Sequence, residues 1–96
     1  TAYGTDGAFN AEVHQTGEVW ASMLWECYVA LLRDTRRLTF EQAQDRMLRY
    51  LVAAYKLTPI MPNMVEARDA LLAAAIARDP EDFRLFWQAF ARRGLG

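Results

Sequence analysis

The chain has 96 residues, 53% of them apolar, with 11 Lys and Arg against 12 Asp and Glu and a formal net charge of −1. The apolar share excludes a disordered chain, and the length is that of one small domain with a modest core. A near-neutral balance with scattered arginines excludes bulk electrostatic attraction to nucleic acid, so no nucleic-acid partner is expected.

Residues 1–12 hold Gly4 and Gly7 among small and polar residues and read as a loop leading into the first helix. No basic stretch followed by an apolar one stands here, so no signal peptide is expected in this segment. The first helix is predicted over 16–36, with Thr16 as N-cap and Glu18 in the first turn. Arg33, Arg36 and Arg37 lie near its C-terminal end, where cations suit the helix dipole. This helix is apolar nearly all round, with Ser22, Glu26 and Arg33 as a thin polar stripe. That pattern predicts a central helix enclosed by the others, with His14 at its N-terminal mouth. Glu18, Glu26 and Arg33 break the run short of the roughly 20 apolar residues of a membrane span, so no membrane is expected. Cys27 is the only cysteine, which excludes an intrachain disulfide, and its apolar surroundings predict a buried thiol acting as a small hydrophobe.

The second helix is predicted over 40–57. Thr39-Phe40-Glu41-Gln42 is a capping box, and Ala43, Met47, Leu48, Leu51, Val52 and Tyr55 recur at helical spacing until Thr58-Pro59 ends the run. The third is predicted over 64–78, opened by a second capping box at Asn63-Met64-Val65-Glu66, with an alanine run suited to close helix packing. The fourth is predicted over 80–93, with Asp79 as cap, Pro80 at the first helical position, a broad aromatic face, and Gly94 as the stop. No strand-like alternation and no internal repeat is visible. The expected fold is all-α, a compact four-helix lobe forming a single domain over 1–96.

Little in the chain carries reaction chemistry by itself. It has no HExxH, no paired cysteines, no Gly-rich phosphate loop and no Gly-x-Ser-x-Gly elbow. His14 and Glu18, four apart, share a helix face, but two ligands fall short of the usual four of a structural zinc site. On the residues alone, Glu18 is a first-turn carboxylate and His14 a polar loop histidine hydrogen-bonded to backbone.

The run Glu12-Val13-His14-Gln15-Thr16-Gly17-Glu18-Val19-Trp20-Ala21-Ser22-Met23-Leu24-Trp25-Glu26 closely resembles a motif of the fungalysin-family zinc metallopeptidases, in which a histidine is followed by Gly-Glu-Val/Ile-Trp-Ala and then Leu-Trp. Leu57-Thr58-Pro59, Glu66-Ala67-Arg68-Asp69-Ala70 and the stretch from Phe86 to Gly96 resemble the C-terminal end of that family. Several ordered matches therefore carry the resemblance, and they cover most of the chain. The spacing is similar, more distantly, to the helical C-terminal domain of thermolysin.

The resemblance implies the C-terminal lobe of a secreted, extracellular zinc metalloendopeptidase whose active site lies between two lobes. It implies zinc in the parent enzyme, held by an HExxH helix and a third glutamate that lie upstream of this chain, with none bound by this chain alone. The implied partners are the N-terminal zinc-binding lobe of the same polypeptide and a peptide or protein substrate. One site residue is brought by this chain: His14 matches the histidine that stabilises the tetrahedral oxyanion during peptide-bond hydrolysis. Alone, the chain is expected to be inactive. In thermolysin an aspartate stands five residues before that histidine; here the position is Phe9, with Glu12 and Asp6 the acids nearby. Glu18 is read as structural, not as a zinc ligand. The alternative is a catalytically inert helical protein-interaction domain derived from the same scaffold, binding through the aromatic face around Trp87 and Phe90.

Overall fold

Local signals start two of the four described helices. The computed structural model describes the backbone of residues 2–57 and 64–94 and the side chains of residues 18–56 and 64–94. Its elements are α1 (Ala2–Arg33), α2 (Phe40–Leu57), α3 (Met64–Arg78) and α4 (Pro80–Arg92), with no strand among the described residues. The all-α, four-helix class predicted from the sequence is the one observed.

At the start of α2 the Thr39 amide donates to Gln42 Oε1 at 2.9 Å, and the Gln42 amide donates to Thr39 Oγ1 at 3.1 Å. This reciprocal pair satisfies two donors that the first turn otherwise leaves open. Asp79 caps α4 from an extended backbone (φ −154°, ψ 111°), its Oδ1 accepting from the Glu81 amide at 2.9 Å, with Pro80 next. Gly94 ends the chain's last turn at φ +80°, a left-handed conformation that costs glycine nothing. The box expected at Asn63 and the stop at Thr58-Pro59 lie outside the described residues.

α1 departs from expectation at both ends. Its backbone is helical from Ala2, where the sequence predicts a loop over 1–12 and a start at 16. Thr16 is therefore no cap, and His14 stands within the helix rather than at its mouth. Glycine costs about 1 kcal/mol in a helix interior, but propensity is a weak prior, and extending a formed helix adds a hydrogen bond per residue. At the other end the helix stops at Arg33. The amides of Arg37 and Leu38 both donate to the Asp34 carbonyl, at 3.2 and 2.9 Å, so Arg36 and Arg37 belong to a turn.

The expected enclosure of α1 is also corrected. α1 packs chiefly on α2 and α4, and α3 on the same two helices from the opposite side. Among the described residues of α1, Met23, Cys27 and Leu31 at i, i+4 and i+8 are fully buried, while Trp25 is 62% exposed. The core lies inside this ring of four, where those residues meet Tyr50, Leu71, Phe86 and Phe90. Ala67, Ala70, Ala74 and Ala75 are buried on α3, so small side chains let its neighbours approach closely. No described helix is long and apolar enough to cross a membrane.

Candidate functional site

His14 lies on α1, one turn before Glu18, where the described side chains begin. The His14 side chain, like those of Asp6, Phe9 and Glu12, lies outside the described residues. Glu18 is exposed on α1. What is visible is how the helix bearing His14 is held. The Trp20 ring stacks on Phe90 of α4, with centroids 6.1 Å apart and planes 11° from parallel. Arg93, just past α4, donates from Nε to Glu26 Oε1 at 2.9 Å and from NH2 to Ser22 Oγ at 2.8 Å. The thin polar stripe of α1 is thus the seam along which the end of α4 is tied down. At 1.5 Å per residue, His14 is about 9 Å along the axis from the Trp20 clamp.

The rest of the fold holds one dense group of charges. Asp82, on the first turn of α4, has no solvent exposure. Its carboxylate accepts from Arg37 NH2 at 2.6 Å, from Arg46 NH1 at 2.8 Å and from the Tyr50 hydroxyl. Arg37 also donates to Asp34 and Asp79, and Arg46 to Asp79, each at 2.8 Å. Arg78 lies 5.9 Å over the Tyr50 ring, and Tyr50 meets Phe86 edge to face at 5.4 Å. Burial, then the Asp82 hydrogen bond and charge, push the Tyr50 phenol well above its ordinary value. Burial works against the charge on Asp79, but hydrogen bonds from Arg46 and the Glu81 amide prevail and hold its carboxyl below the ordinary carboxylate value. The Arg37 and Arg46 guanidiniums are held above their ordinary value, Arg37 against its burial by Asp82 and Asp34, and Arg46 chiefly by Asp82.

This network joins the α1–α2 turn, α2 and the start of α4. Both Asp82 oxygens are taken by internal donors, so the group locks helices together rather than acting on a substrate. The sequence pattern does not point to it: Arg37 reads there as a cation suiting the helix dipole, and Asp82 is not singled out. One signal was present. Asp82 stands at i−4 from Phe86 and i−7 from Ala89, on the apolar stripe of α4, and an acid on a core stripe demands a cation.

The remaining candidates are structural. Cys27 is fully buried, and burial, then the adjacent Glu26 charge, push its thiol up to about 12, which leaves no thiolate near neutrality. Phe90 is fully buried, so the aromatic face expected around Trp87 and Phe90 reduces to Trp87, 44% exposed. Among the described residues no three of His, Cys, Asp or Glu are grouped to hold a metal ion. The close carboxylates, Asp79 and Asp82, are committed to guanidinium groups, so they do not fit a zinc ion.

Comparison with known proteins covers the whole length. Residues 1–96 match the family model described as fungalysin metallopeptidase (M36). The chain is 36% identical over 104 aligned residues to extracellular metalloproteinase 3 of Trichophyton soudanense, covering 88% of this chain and 25% of that protein. The identity is the same to the extracellular metalloproteinase 3 of Trichophyton rubrum, covering 15% of that protein. The chain therefore spans a quarter or less of the length of these relatives. No solved structure matches it.

Proposed function

This chain belongs to the fungalysin metallopeptidase family, and we propose that it is the C-terminal lobe of a secreted zinc metalloendopeptidase, lining the substrate cleft and supplying His14. The observation that carries this reading is the family match over all 96 residues, set against relatives four or more times as long. Those relatives are named extracellular metalloproteinases, which supports secretion of the parent protein. The zinc ion belongs to the parent, on ligands outside this chain; the described residues offer it no site.

In this reading the task of His14 is electrostatic. When a peptide carbonyl is attacked, negative charge gathers on its oxygen. A ring N–H aimed at that oxygen binds the transition state more tightly than the ground state, and only such differential binding accelerates the step. The gain depends on the donor being held in place beforehand. The Trp20–Phe90 stack and the Arg93 bonds to Ser22 and Glu26 support that role, because they fix the helix that bears His14.

The test is peptide hydrolysis by the parent protein, wild type against His14→Ala, with bound zinc measured in both. The expected result is a fall in kcat of about 10²–10³, the usual cost of losing one oxyanion donor, with zinc content retained. Unchanged turnover in His14→Ala would withdraw the catalytic assignment.

A further inference from the structure

α1 is a long helix, and His14 stands nine residues before Met23, the first fully buried side chain among the described residues of that helix. At 1.5 Å per residue the separation is about 13 Å, so a tilt of about 5° at Met23 carries position 14 sideways by about 1 Å. Misplacing a reacting group by that much costs on the order of a hundredfold in rate. Whatever sets the tilt of α1 ahead of Met23 therefore sets the position of His14.

The end of α4 supports that part of α1 through two residues one turn apart. Phe90 stacks on Trp20. Arg93 is fixed by the turn that closes α4: its amide donates to the Phe90 carbonyl at 3.1 Å, and the amide of Gly94, at φ +80°, donates to the Ala91 carbonyl at 3.0 Å. From there the guanidinium reaches Ser22 and Glu26, which lie one turn apart on α1. Arg93 and Glu26 keep 43% and 31% of their side chains in solvent, and exposed ion pairs usually contribute little. One atom sets this pair apart. Glu26 Oε2 is buried and has no hydrogen-bond partner among the described residues, so the carboxylate is held through Oε1 alone. A carboxylate oxygen shut from water is tolerated beside a guanidinium and is costly without one. With Arg93 gone, the easiest relief is for α1 to swing Glu26 outward, and that movement displaces position 14.

We propose that Arg93 is a positioning residue for peptide hydrolysis: by holding Ser22 and Glu26 it keeps α1 at the tilt that places His14. It acts through His14 and not on the substrate. The proposal rests on the reading of His14 as the oxyanion donor.

The experiment measures kcat, KM, bound zinc and urea midpoint in the intact parent protein, for wild type, Arg93→Ala, Arg93→Lys, His14→Ala and each Arg93 variant combined with His14→Ala. Arg93→Ala is expected to lower kcat about tenfold or more, with KM within about twofold of wild type and zinc retained. Arg93→Lys, whose ammonium still neutralises Glu26 but lacks the fork that reaches both acceptors, is expected to recover most of that loss. In the His14→Ala background neither Arg93 variant lowers kcat further, because the group it positions is gone. Where Arg93→Ala does not fold, Arg93→Lys carries the same cycle, with a loss of about a few-fold that vanishes without His14. Wild-type kcat in both Arg93 variants, or an equal fall with and without His14, overturns the proposal and leaves His14 in its role. Loss of zinc, or a fall in turnover that appears as a raised KM, assigns Arg93 to the fold alone and also overturns it. Unchanged turnover in His14→Ala is instead the failure of the His14 reading, and the role of Arg93 falls with it.

Discussion

Replacing Asp82 by Asn tests whether the buried charges hold the helices together. Asn keeps the size and one acceptor oxygen, but it puts an amide donor where Oδ2 accepted from both Arg46 and the Tyr50 hydroxyl. Two donors lose their acceptor, and one of them, Tyr50, is 2% exposed. Breaking a buried ion pair by removing one partner costs about 3–5 kcal/mol. Both guanidiniums keep Asp79, and Arg37 also keeps Asp34, with 21–27% of each arginine side chain still in contact with solvent, so the low end applies. The expected loss is therefore about 3 kcal/mol, a large part of the roughly 5–15 kcal/mol that holds a small domain together. Tyr50→Phe removes one hydrogen bond and leaves Oδ2 with Arg46, for an expected loss of about 1–1.5 kcal/mol. The double variant should cost less than the two singles together, because both act on one oxygen. The assay is equilibrium urea unfolding followed by far-ultraviolet circular dichroism, with native-state amide exchange of α2 and α4 in the parent protein. A loss below about 1 kcal/mol for Asp82→Asn, or strict additivity in the cycle, would refute the reasoning.

Two further outcomes follow from the titrating groups. The Asp79 carboxyl is held below its ordinary value in the folded chain, so the unfolded chain takes up this proton first; the stability it supplies is present above about pH 4 and is lost as pH falls through the folded value. Asp79→Asn keeps a capping oxygen and abolishes that titration, so the gap in urea midpoint between wild type and variant should be widest near neutrality and narrow steadily below about pH 4. Cys27, buried with its thiol pushed up to about 12, should resist a disulfide reagent at neutral pH and react completely on unfolding in urea, read by absorbance of the released thiol. Fast reaction in the native protein would mean that the stripe Met23-Cys27-Leu31 is not closed.

Local features were legible in the chain itself. The Thr39–Gln42 box and the Asp79-Pro80 start are made by residues within a few positions of one another, and they start α2 and α4 by hydrogen bonds that need no tertiary partner. The start of α1 was not legible, because Gly and Thr preferences of a few tenths to about 1 kcal/mol do not decide where a long helix begins.

The sequence by itself determined the all-helical class, and its ordered run from Glu12 to Glu26 carries the resemblance from which a role for His14 is proposed. Tertiary structure alone decided what Arg37, Asp82 and Arg93 are for. Their partners lie far off in the chain: Asp82 meets Tyr50 and Arg37 across separations of 32 and 45 residues, and Arg93 reaches Glu26 and Ser22 across 67 and 71. The charge on a side chain is written in the sequence, but its worth depends on what shares its burial. It likewise took the packing to show that a helix apolar nearly all round buries Met23, Cys27 and Leu31 yet leaves Trp25 outward, because hydrophobicity is a property of residues and burial a property of their neighbours.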